Sequence, residues 1–258
     1  MTKALDDLAA DLSNAFTGDL AHLRDRLVFG HREDSLSLAD ILTAEQQAAI
    51  VDAFCREHGP TPVVAVMSIW SKWYFGMVLP PYISANIVLG RMPACGVDDI
   101  RLILQPDCKI SAAVVTGVTP VQALPLPGCA LEPLVDRLVA PFIERYHQQT
   151  GVTRRVLWSN AGTLIEGVVR HLEKIGCSAD LIAACDAYLG RTHLADGTRN
   201  PLHLPVVYLD MPGESGRRRR LCCLRYMLPD EKLCCACPRD GTAAKIKAYM
   251  RALEGAAL

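Results

Sequence analysis

The chain has 258 residues, half of them hydrophobic, and a formal net charge of −1, so it has length and apolar content for a real core and lacks the cationic excess that nucleic-acid binding demands. Charge is unevenly spread: residues 1–60 carry five Lys/Arg against eleven Asp/Glu, whereas residues 215–240 carry seven against three. The opening MTKALDDLAADLSNAF is acidic and has no continuous apolar centre, which excludes a secretory signal, and no run reads as the ~18–20 apolar residues of a membrane span, so a cytoplasmic chain with reduced thiols is expected.

In chain order, residues 4–16 and 19–28 suit short amphipathic helices. Thr43 is placed to cap a helix from Ala44 to about His58, with Glu45 in its first turn and Gly59-Pro60 at its end. Residues 62–79 are almost wholly apolar and read as a buried helix, which Pro80-Pro81 should break before another runs to about Leu89. Residues 100–104 and 110–115, split by Pro106-Asp107, read as a hairpin. Pro120 to Pro127 is a connector, and residues 129–149 look helical with a kink or break at Pro141.

A long helix follows, entered through Val156 to Asn160 with Ser159 as a plausible N-cap and closed by Gly176; Ser178 caps a further helix to about Leu189. After a polar loop over 190–203, residues 206–209 and 220–226 pair as a hairpin, and residues 242–254 form a last helix. The expected fold is a mainly helical α+β domain with small antiparallel hairpins and a cysteine-rich C-terminal segment. It divides into an N-terminal helical region 1–60, a helical/α+β core 61–215 and the segment 216–258, within one compact unit.

Five of the eleven cysteines lie within sixteen positions, and Cys222, Cys223, Cys234 and Cys237 form the spacing C-C-x10-C-x2-C. Two thiol pairs joined by a loop with a Leu-Pro-Asp turn can close on a soft metal centre. The spacing alone leaves zinc and an iron–sulfur cluster open, and the vicinal pair departs from the C-x2-C twice pattern of structural zinc sites. Cys55, Cys95, Cys108, Cys129, Cys177 and Cys185 stand singly among apolar residues and read as small core residues. The seven histidines show no ligand spacing, and no G-x-G-x-x-G or Walker motif indicates a bound nucleotide cofactor.

The cysteine pattern, with paired arginines before it and R-Y-x-L-P-D inside it, resembles the ferric-siderophore reductase family typified by FhuF. Weaker likenesses run upstream in the same order: Ser68-Ile69-Trp70 to Trp73-Tyr74 with Pro80-Pro81, Leu157 to Asn160 with Gly162, and Asn200-Pro201-Leu202. The resemblance covers roughly positions 60 to 240. It implies a [2Fe-2S] cluster held by Cys222, Cys223, Cys234 and Cys237, with Cys235 an extra thiol between the last two ligands. It also implies one-electron reduction of ferric iron in a hydroxamate-type siderophore, and a distant kinship of fold with a domain of siderophore synthetases. Electrons would come from a separate donor, such as a ferredoxin, a flavodoxin-like protein or a flavin reductase. Loose association with the inner face of the cytoplasmic membrane is compatible with this reading.

Arg217, Arg218, Arg219 and Arg220 adjoin the first thiol pair. Turned inward they tune a cluster, turned outward they dock a donor, and left in water they are a solvated charge run. Trp70, Trp73, Trp158 and Asn160 are the candidates for a substrate groove, although Trp70 and Trp73 at i, i+3 equally suit core packing and Trp158-Ser159-Asn160 equally suits a helix start. A zinc-clipped structural or binding protein and an iron- or redox-sensing siderophore-binding protein are the alternatives to the reductase.

Overall fold

The computed structural model describes residues 3–89, 96–117, 131–211, 216–229 and 233–256. The expected Pro120–Pro127 connector, Cys95, Cys129 and the turn of the 206–219 hairpin lie outside the described residues. Mainly helical α+β architecture is what the fold displays.

Helix α1 (Lys3–Ala15) buries Leu8 and Leu12, one turn apart, and Phe16 follows them into the core. The second expected N-terminal helix is instead a 3-10 turn (Gly18–Leu23) and a strand, β1 (Leu27–Phe29). After β2 (Ser35–Ser37), the short α2 (Leu38–Ile41) starts on a capping box in which Ser37 and Asp40 satisfy each other's backbone N–H. Helix α3 (Ala44–His58) begins where expected: the Thr43 hydroxyl accepts from the Gln46 N–H at 3.3 Å, and Gly59 closes the helix at φ +83°.

Helix α4 (Val63–Leu89) corrects the expected break, because it runs unbroken through Pro80 and Pro81. A proline at 80 has no N–H for the carbonyl of Gly76, one turn back, and would leave it orphaned. Arg26 supplies the missing donor, its Nη1 standing 2.5 Å from the Gly76 oxygen. The helix is also long and apolar enough to cross a membrane by length and composition, contrary to the expectation that no run approaches that length, but 61% of its most apolar window is buried inside the fold.

The expected hairpin forms as β3 (Ile100–Leu104) and β4 (Ile110–Val115), with a register shift at Ile103/Leu104. It is the centre of a four-stranded sheet in the order β1-β4-β3-β2, with β1 parallel to β4. Next, α5 (Glu132–Leu134) passes through a π turn (Val135–Val139) into α6 (Ala140–Thr150). The disturbance expected at Pro141 therefore appears as a widened turn just before it.

Helix α7 (Arg154–Lys174) starts after Thr153, so Ser159 lies inside it rather than at its cap. It packs along α4 and is followed by α8 (Ala179–Gly190). Trp70 and Tyr146 stack at 6.1 Å between ring centroids, Tyr74 and Phe142 at 3.8 Å, and these rings fill the space between α4 and α6. Gly162 lets the following loop approach α7: a Cβ there would lie 2.6 Å from Pro205 Cβ.

The C-terminal hairpin pairs β5 (Val206–Tyr208) with β6 (Arg217–Arg219), which starts three residues earlier than expected and ends before the expected strand begins. Leu209 N–H to Gly216 O at 2.9 Å extends the pairing toward the turn. The hydrophobicity of 221–226 suggested the later register, but those residues are needed for the turns that carry the thiols. Helix α9 (Ala243–Ala256) closes the chain and lays Ile246 and Met250 against Val207.

Candidate metal centre

The cysteine segment is not an appendage. Cys223 is fully buried and belongs, with Leu228, to the same core as Leu8, Trp70 and Ile165. β6 leads straight to it, and Leu224 just beyond adopts a left-handed backbone at φ +66°, unusual for a branched residue. That turn aims the Leu224 N–H at the Cys222 sulfur. The second pair follows the loop: Cys237 N–H returns to Cys234 O at 2.9 Å, closing a tight C-x2-C turn, and the Arg219 N–H ties that turn to β6 through Ala236 O at 2.9 Å. Outside, the Arg239 guanidinium lies 3.9 Å over the Tyr226 ring and clips the two ends of the loop together.

Three of the sulfurs meet, and the fourth lies within range of their charge. The Cys223 sulfur lies within hydrogen-bond reach of both Cys222 and Cys234, and Cys237 is close enough to act on the latter two by charge. Cys235, between Cys234 and Cys237 in the chain, is exposed. The Cys222 and Cys234 thiols donate toward Cys223, and Arg219 and Lys72 add positive charge, so Cys223 is held well below the ordinary thiol range despite its burial. The same hydrogen bonds, followed by burial, push Cys222 and Cys234 up. Lys72, the single charge on α4, has its Nζ 3.8 Å from the Cys223 sulfur.

Beneath the thiols a relay of hydrogen bonds fixes their backbone. Arg219 Nη2 donates to Asn160 Oδ1 at 2.5 Å, Asn160 Nδ2 donates to the Ser68 carbonyl at 3.1 Å and to the Ser71 hydroxyl at 3.1 Å, and the Ser68 hydroxyl donates to the Cys223 carbonyl at 2.9 Å. The Ser159 hydroxyl holds the Leu221 carbonyl at 3.1 Å. Helices α4 and α7 thus grip the residues on both sides of the vicinal pair.

The arginine run is neither a solvated run nor an open patch. Arg217 pairs with Glu166 at 2.5 Å, and Glu166 also accepts from the Tyr208 hydroxyl. Arg218 pairs with Asp240 at 2.6 Å, Arg219 sits 2% exposed beside the thiols, and Arg220 Nη1 donates to the His203 carbonyl at 2.6 Å. Of the groove candidates, Trp70 is fully buried with its indole N–H on the Cys108 carbonyl, Asn160 is buried in the relay, and Trp73 packs near Phe54. Trp73 and Trp158 are both half-buried, and Trp158 lines a cavity of about 680 Å³ whose wall includes Ser159 and Leu221, the residue before Cys222. Of the six scattered cysteines, Cys185 is buried, Cys55, Cys108 and Cys177 are half-buried, and two lie outside the described residues.

The donor set is suited to a soft metal or an iron–sulfur cluster: four thiols, one already biased to thiolate, with two cations beside them. The buried Nε of Arg219 has no hydrogen-bond partner among the described residues, a cost that an anionic occupant would relieve. Among the described residues no three His, Cys, Asp or Glu side chains are drawn into a finished coordination geometry, so the thiols stand as neighbours rather than as a closed ligand shell. Sequence reasoning missed Lys72, whose signal was a lone charge in an otherwise uncharged 27-residue helix, and the cavity, whose walls come from four separate stretches.

No family model matches the chain. The ferric siderophore reductase of Escherichia coli strain K12 is 25% identical to it over 183 residues, which cover 70% of this chain and 66% of that protein, just under two thirds of the relative's length. Among solved structures, ATP-bound aerobactin synthetase IucA from a hypervirulent pathotype of Klebsiella pneumoniae aligns with a TM-score of 0.50 at 12% identity, covering 78% of this chain and 49% of that one. A second structure of IucA aligns at 0.48. At this identity the likeness to IucA is one of fold.

Proposed function

We propose that this chain is a ferric-siderophore reductase that takes one electron from a separate carrier and passes it to ferric iron in a hydroxamate-type complex, which then releases Fe(II) in the cytoplasm. The observation that carries the reading is the grouping of Cys222, Cys223 and Cys234, with Cys237 in range of their charge, next to Leu221 in the wall of a cavity large enough for a small complex. The partial likeness to a protein named for this activity supports it.

The four cysteines would hold a [2Fe-2S] cluster, which when bound supplies a one-electron store. The protein's own part is placement and charge. Arg219 and Lys72 set positive charge beside the sulfurs, which favours the more negative, reduced state and raises the potential. The Asn160–Ser68 relay holds the Cys223 backbone against displacement as charge changes. Leu221, which precedes Cys222 in the chain, and Ser159 line the cavity, so a cluster held by the thiols would lie on the far side of that wall from a bound complex. Hydroxamate oxygens are hard anionic donors that hold Fe(III) far better than Fe(II), and a single added electron is enough to loosen the complex. No nucleophile or general base is required.

Anaerobic purification followed by iron, sulfide and zinc analysis and a visible spectrum tests this. The dithionite-reduced protein, freed of excess reductant, is expected to regain colour on addition of ferrioxamine as Fe(II) appears. A colourless protein with one zinc would leave a cysteine-clipped binding protein. A cluster that forms but passes no electron to the complex would make the protein a sensor.

A further inference from the structure

The cavity is cationic in a way that the proposed chemistry does not require. Arg155 from α7, Arg199 and Arg220 from the flanking loops, and Lys247 and Arg251 from α9 line it, and no Asp or Glu does so among the described residues. Arg220 is engaged on the His203 carbonyl. Arg155, Lys247 and Arg251 are exposed and have no carboxylate partner among the described residues. Lys247 and Arg251 stand at i, i+4 on one helix face, where like charges repel and cost stability unless something negative sits between or above them. The floor is of opposite character: Trp158, Ile246 and Met250 present aromatic and aliphatic surface.

A concave site of about 680 Å³ with an apolar floor and a cationic rim has the size of a small-molecule pocket, whereas a protein partner would meet a flatter patch. Resting on the reading above, we infer that the pocket selects ferric complexes bearing free carboxylate, over neutral or cationic complexes of the same iron core. The hydrocarbon arms of such a ligand lie on the Trp158 floor, its carboxylates face Arg155, Lys247 and Arg251, and its iron faces the Leu221 wall.

The test uses the full chain and one linear trihydroxamate in three forms, with its terminal amine free, acetylated or succinylated, so that the complex is cationic, neutral or anionic with an unchanged metal core. Gallium(III) replaces iron, so calorimetry reads binding with no electron transferred. The anionic form is expected to bind at least about tenfold more tightly than the cationic one. High salt should collapse the difference, because the screening length falls to about 3 Å at 1 M. The combined Arg155→Glu, Lys247→Glu and Arg251→Glu variant, altered only at exposed positions, should invert the order.

Equal affinities, failure of all three complexes to bind, or an unchanged order in the charge-reversed variant would each overturn the inference. So would a variant that binds the complexes in the original order while losing an acidic electron-carrier protein, which would assign the rim to that partner. If the order holds with gallium but the iron forms are never reduced, the pocket stands and the reductase reading falls. If the iron forms are reduced at rates indifferent to charge, the reductase reading stands and the pocket assignment falls.

Discussion

Two groups of cations flank Leu221. On one side is β6, whose Arg217, Arg218 and Arg219 are drawn into the protein and matched to Glu166, Asp240 and the Asn160 amide. On the other side is the cavity rim, where Arg155, Lys247 and Arg251 are exposed with no acid to meet them among the described residues. The first group is held in place by burial: a charge removed from water is tolerated only when geometry supplies its partner, so those arginines are structural and local. The second group keeps its field available to whatever arrives. A run of four arginines therefore says little about where positive potential is presented, and cations far apart in sequence say more once the fold gathers them.

That contrast can be broken most decisively at the thiols. On the proposed cluster reading, Cys223→Ser, lying in the core beside Arg219, is expected to abolish visible absorption and iron content, whereas Cys235→Ser, at an exposed position, should leave both as in the unaltered protein. Retained iron in the first variant would undo the ligand assignment. Next in size, Arg217→Leu takes the nearest cation from Glu166, only 8% exposed, leaving it the Tyr208 hydroxyl and Arg170 at 3.9 Å, and should cost about 1–3 kcal/mol in urea denaturation. By contrast Lys247→Glu on the rim should stay within about 0.5 kcal/mol, since it is exposed and breaks no pair among the described residues. Equal losses in the two would erase the distinction between the groups.

Gly162→Ala should cost about 1–3 kcal/mol by driving Pro205 off α7, and it should disturb the cavity wall with it. The smallest effect is electrostatic and exposed. Arg154 hydrogen-bonds Glu144 and holds its carboxylate at about 2. A depressed carboxylate adds stability above its unfolded value near 4.5, and that stability disappears as pH falls from there through about 2. Glu144→Gln should therefore lower stability slightly at neutral pH, leave it unchanged below about 2, and so flatten the acid limb between, measured by pH-dependent unfolding.

The helices α3, α8 and α9 could be read from the chain because their signals are local: Thr43 at a cap, Gly59 at an end, an apolar stripe between. Helix α4 could not be read as continuous, since the rescue of the Gly76 carbonyl comes from Arg26, fifty residues earlier. Strands of three residues such as β1 and β2 carry too little alternation to declare themselves, and they exist because β3 and β4 offer edges to pair with. At the site, C-C-x10-C-x2-C marked the thiols, because covalent spacing survives any fold. The inward turn of Arg219 and the approach of Lys72 depend on how α4 crosses α7, which no spacing encodes.

The burial of Cys223 in the main core bears on what happens when metal is scarce. Small metal-nucleated domains lose their fold with their ion because the ion is their core. Here the vicinal pair is anchored by Ser68, Ser159 and the packing of Leu228, none of which needs a metal. If the proposed centre is bound, the chain stripped of it should keep its shape and its melting transition nearly intact and remain ready to be refilled, so that loss of the metal would be a pause rather than an end to the molecule.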